Sequence, residues 1–76
     1  MRSSAAAMSA KTAGLSFREV KLIQFLCEGY NMVQIAHTVG SSEQWIRKSF
    51  MQIRGKLRVG SNPELVLKAH ALNLIG

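Results

Sequence analysis

The signals that start and stop helices follow one another so closely in this chain that they leave little room for any other kind of element. Ser16, Asn31, Ser42 and Asn62 each stand where a short polar side chain accepts a hydrogen bond from the first turn of a helix. Gly29, Gly40 and Gly60 follow the segments that precede the next start. The first helix is predicted from Ser16, which forms a capping box with Glu19, to about Glu28. Its Phe17, Val20, Leu22, Ile23, Phe25, Leu26 and Cys27 cover a wide arc and predict heavy burial. A short helix from Met32 to about Thr38 turns Ile35, Ala36 and Val39 inward. A longer one, capped by Ser42 with Glu43 in its first turn, reaches Leu57 or Arg58. In the run Asn62-Pro63-Glu64, a cap, a proline at the first helical position and an acid open the last helix, which extends to Leu72.

No alternating β-branched run and no hairpin turn interrupts this order, so the expected fold class is all-α with four helices. The chain's 76 residues suit one domain. Residues 1–14, small and polar, read as a flexible leader or linker, and residues 15–76 as the folded domain. A domain of this size has only about 3–5 kcal/mol of net stability, which leaves room for a stabilising partner.

Ten lysines and arginines against four acids give a net charge of +6, a balance that favours a polyanion. Arg47, Lys48, Arg54, Lys56 and Arg58 all fall within the third helix or at its end. At about 100° per residue, Phe50, Ile53 and Leu57 lie within about 40° of Ile46 and form one narrow apolar stripe. Gln44, Arg47, Lys48, Met51, Gly55 and Arg58 occupy the opposite side. A helix held along its back while basic and amide side chains project is what reading a DNA major groove requires. Gly55 costs that helix about 1 kcal/mol relative to alanine. It either admits a DNA backbone or is simply tolerated. The short helix, the turn Val39-Gly40-Ser41-Ser42 and the basic helix together read as a helix-turn-helix.

From Leu15 to about Leu72 the chain resembles the LuxR-type (also GerE- or NarL-type) helix-turn-helix domains of bacterial transcription regulators. The resemblance lies in LSFREVKLIQFLCEGY, IAHTVGSSEQWIRKSFMQIRGKLRV and SNPELV. Within these, Leu15-Ser16 with Arg18-Glu19, Gly29-Tyr30, Ile35-Ala36, Ser42, and Ile53 with Lys56-Leu57 carry the family spacing. It implies four helices, the third reading double-stranded DNA and the fourth forming a twofold dimer contact. Carried over by position, Arg47, Lys48 and Met51 stand where the family contacts bases, and Ser42 and Lys56 where it contacts phosphates. Trp45, Ser49, Lys21 and Ser41 depart from the family's usual threonine, histidine, glutamate and aliphatic residue, and Met51 occupies a position often held by lysine.

The full expected DNA-binding set is Ser42, Gln44, Arg47, Lys48, Met51, Arg54 and Lys56, and the expected homodimer interface is Leu65, Lys68, Ala69 and Leu72. The apolar excess of the last helix, which includes Leu67 and Leu74, agrees with such a contact or with packing on a further regulatory domain. Trp45, at the flank of the third helix, is expected to pack on the first rather than to stack on DNA. The competing expectation is a module of the same fold that docks on another regulator through Trp45, Met51, Met32 and Val33.

Other chemistry finds little footing. Cys27 is a lone thiol expected in the core, and His37 and His70 lack neighbours at metal-ligand spacing, so no metal, cofactor or catalytic residue is expected and the chain is not read as an enzyme. The free cysteine and the absence of a signal-peptide or membrane-span pattern point to a cytoplasmic protein, with a membrane-surface role the weaker option because the core needs the basic helix's apolar side.

Overall fold

A computed structural model describes residues 14–74 of the chain. The expected leader therefore lies outside the described residues except for Gly14. The described residues form four helices and no strand: α1 (Phe17–Cys27), α2 (Met32–Val39), α3 (Glu43–Leu57) and α4 (Asn62–Ala71).

Each helix begins where a side chain satisfies amides that the helix itself cannot. Ser16 Oγ accepts from the Glu19 amide at 3.1 Å while Glu19 Oε1 accepts from the Ser16 amide at 2.9 Å. Asn31 and Gln34 repeat the exchange at the start of α2, at 2.8 and 2.9 Å. Ser42 Oγ accepts from the Trp45 amide at the start of α3. At α4 the sequence expectation is off by one residue: Ser61, not Asn62, is the cap, accepting from the Glu64 amide. Glu64 then reaches back to the Gly60 amide at 2.7 Å. With those two bonds formed on either side of the Ser61 cap, Asn62 enters the helix and its side chain is released for another use. Gly40 ends α2 in the left-handed region at φ 74°, where a Cβ is costly, and so sets the tight turn into α3.

The core lies where the four helices meet. Ile46, Phe50, Ile53 and Leu57 of α3 are all buried, as the apolar stripe predicts. They pack in one cluster with Val20, Leu22 and Ile23 of α1, Ile35 and Ala36 of α2, and Leu65 and Ala69 of α4, while Leu15 and Leu74 complete it from outside the helices. Full burial of a side chain such as Phe50 or Ile53 stabilises the fold by about 1.5–3 kcal/mol. α3 is thus clamped along its length.

Two expected core residues lie outside. Phe17 remains 67% exposed and Val39 40% exposed. Phe17 opens α1 about 120° round the helix from buried Ile23. Val39 is the last residue of α2 and shares a side with buried Ile35, but the helix ends there. Cys27 is half-buried rather than fully enclosed; burial, and secondarily the Glu28 charge, push its thiol pKa up and keep it protonated at neutral pH.

Candidate nucleic-acid interface

Because one side of α3 is fixed in the core, its opposite side must face outward. Gln44, Lys48, Met51 and Gly55 form the centre of that outer ridge and all are exposed, with Met51 63% exposed. Arg47 and Gln52 flank the ridge on either side and are also exposed. Gln52 was absent from the sequence-derived set, although its place about 40° from Lys48 on the helix was the signal that could have found it.

The cations of α3 differ in what holds them. Arg47 pairs with Glu43 one turn earlier, with its Nε donating at 2.9 Å to Glu43 Oε2 and its Nη2 donating to the same oxygen. This pair places Arg47 at the solvent-facing start of the helix and neutralises an acid that would otherwise face any polyanion. Arg54 is half-buried, its Nη1 donating to Asn62 Oδ1 at 2.6 Å, so it ties α3 to α4. Lys56 donates from Nζ to both Glu19 oxygens, at 2.8 and 3.0 Å, and ties α3 to the start of α1. Among the described residues Lys48 has no carboxylate partner. Of the seven expected DNA-binding residues, then, Gln44, Arg47, Lys48 and Met51 come together on one outward face. Ser42 sits at its leading end as the cap, while Arg54 and Lys56 are engaged within the fold. No sequence signal links Lys56 to Glu19, since 37 residues separate them.

The second engagement also acts on the Glu19 carboxyl. Burial pushes its carboxyl pKa up, but the bond from the Lys56 ammonium, the Ser16 amide and the Lys56 charge together outweigh that effect and hold it below its ordinary value.

Trp45 is 37% exposed at the flank of α3, with the Arg18 guanidinium 5.5 Å from its ring centroid. It packs toward α1, in the direction expected. Arg18 and Trp45 both line two adjoining surface grooves. One is polar and runs past Ser16, Ser49, Gln52 and Lys56; the other is more apolar and runs past Phe17, Leu22 and Val39.

The expected dimer set needs correction. Leu65 and Ala69 are fully buried against the domain's own core and are not available to a second chain. Their side of α4 is the inward one. Lys68 and Leu72 are exposed, as is Leu67 at 70%, which the expected set omitted. Among the described residues no cluster of three metal-binding side chains occurs, and no helix is long and apolar enough to cross a membrane. Compared with protein-family models, curated proteins and solved structures, the chain matches none of them.

Proposed function

We propose that the chain is a sequence-specific, DNA-binding transcription regulator, or the DNA-binding part of one, of the LuxR-type helix-turn-helix kind, acting in the cytoplasm. In this reading α2, the turn at Gly40 and α3 form the helix-turn-helix, and α3 enters the major groove with Gln44, Lys48 and Met51 foremost. The observation that carries the reading is the pairing of a fully buried ridge, Ile46, Phe50, Ile53 and Leu57, with an exposed ridge bearing amide and basic groups on the same helix. Lys48 and Arg47 supply phosphate or guanine contacts, and Gln44 suits adenine. Arg47 reaches DNA by exchanging Glu43 for a base or phosphate. A net charge of +6 adds non-specific attraction.

The test is selection of duplexes from a random DNA library, followed by anisotropy titration of the winners. An enriched two-part site, bound with affinity that falls steeply with salt, is the expected result. The double variant Arg47→Ala with Lys48→Ala should lose at least tenfold in affinity; wild-type binding by it would discard the α3 face.

A second reading has specific support: exposed Met51 on the α3 face and exposed Val33 on α2 (58% exposed), together with the internal engagement of Arg54 and Lys56, favour docking on another regulator. That reading prevails if no duplex is bound even at low salt while a protein partner is bound and lost in Met51→Ala.

A further inference from the structure

Beside the α3 ridge, about 100° round the helix from Gln44, lies the apolar groove, with a cavity volume of about 310 Å³. Phe17 and Trp45 are exposed on it together with Val39, while Leu22 is buried and Phe25 and Ser41 are half-buried. Three of the seven exposed large apolar side chains among the described residues therefore share one groove, although an isolated domain gains nothing by leaving them in water. Its polar lining is cationic: Arg18 and Lys21 border it, both exposed, and no carboxylate lines it. Glu19, the nearest acid in sequence, points its oxygens at Lys56 and Ser16 instead.

We infer that the groove between α1 and Trp45 is a docking site for an acidic, apolar segment of a partner protein, a short stretch that inserts two or three large side chains beside Phe17 and Trp45 and sets carboxylates against Arg18 and Lys21. Charge selects this occupant over the two nearer ones. A second copy carries the same +6 and is repelled. The chain's own residues 1–13 contain Arg2 and Lys11 and no acid, so they too bring the wrong sign to the groove. A carboxylate suits Arg18 in particular, because its guanidinium lies 5.5 Å from the Trp45 ring centroid, at the groove, and has no acid partner among the described residues, so that an incoming acid can take its N–H groups. The site is separate from the outer ridge of α3 and stands whether that ridge meets DNA or protein.

Trp45 is the chain's one tryptophan, so its emission reports the groove directly. The experiment pans a displayed library of random twelve-residue peptides lacking tryptophan against the whole chain, then titrates the synthesised winners while following Trp45 emission. Winners are expected to combine large apolar residues with net negative charge, to shift the emission to shorter wavelength, and to bind at least tenfold more weakly to Phe17→Ser and to the double variant Arg18→Glu with Lys21→Glu. These positions are exposed, and unchanged helical circular dichroism verifies that each variant folds. Enrichment of no peptide, winners without net negative charge, or equal binding to the variants overturns the proposal. So do two results that assign the groove elsewhere: a Trp45 emission that shifts with chain concentration alone, which means a second copy, or one that moves to longer wavelength when residues 1–13 are removed with helical circular dichroism unchanged, which means its own terminal segment.

Discussion

At Glu19 two structural duties meet in one carboxylate, which caps α1 through the Ser16 amide and accepts the Lys56 ammonium from α3. Because its folded pKa lies below its unfolded one, the stabilisation is complete above the ordinary carboxylate pKa of about 4.3 and is lost as pH falls through the lower folded value. Lys56→Met should raise the Glu19 pKa, measured by carboxyl NMR titration, and flatten the acid side of the Tm–pH profile. Lys56 is nearly half exposed, so the loss at neutral pH should be no more than about 1 kcal/mol. The same variant separates the two duties proposed for Lys56: an engaged lysine leaves the salt slope of duplex binding near wild type, whereas losing a phosphate contact lowers it by about 1. Glu43 gives a prediction of opposite signs. Glu43→Gln releases Arg47 and removes a negative charge from the start of α3, which meets DNA in the proposed reading, so duplex affinity should rise severalfold at low salt. It also removes a favourable charge from a helix start, so stability should fall by about 0.3–1 kcal/mol. Affinity and melting measurements that move together would contradict this account of the pair.

Local chemistry made the elements legible and left their edges uncertain. Ser16 and Asn31 cap as expected with no rival beside them, and Ser42 caps α3 although another serine, Ser41, precedes it. At α4 two adjacent caps, Ser61 and Asn62, compete, and the Glu64 bond to Gly60 decides for Ser61. The periodicity of α1 could not reveal that Phe17 stays out, because exposure at a first helical position depends on whether another element covers that end. Gly55 allows the remaining question about α3 to be settled on the element itself. A Cβ there meets nothing within 4 Å, so Gly55→Ala should stabilise α3 by up to about 1 kcal/mol, read as a rise in Tm. If a duplex backbone passes close to this position, the same methyl group should weaken DNA binding despite the added stability. Higher Tm with unchanged affinity identifies Gly55 as merely tolerated.

For the whole molecule, the sequence conveyed the class of fold and the existence of an outward basic face, because both follow from period and sign. It did not convey how the helices spend their cations on one another, since Arg54 with Asn62 and Lys56 with Glu19 arise only when α3 packs against α4 and α1. Nor could it assign the two sides of α4, where apolar residues occur all round and only packing places Leu65 and Ala69 inward and Leu67 and Leu72 outward. Leu67 and Leu72 offer only two exposed apolar side chains on a chain of net charge +6, so self-association through α4 should be weak and should strengthen with salt, as screening shortens the range of repulsion to about 10 Å near 0.1 M. Duplex binding has the opposite dependence, since salt weakens it through counterion release. Sedimentation velocity across a salt series therefore tests the contact apart from DNA. Dimer fraction should grow with salt in the wild-type chain and vanish in Leu67→Glu with Leu72→Glu, while Tm at low concentration changes little because neither side chain belongs to the core. On a two-part duplex that variant should bind each half independently and lose the added affinity of the joined site. A monomer at every salt concentration in the wild-type chain would remove α4 as the twofold contact and leave its outer face to another domain or partner.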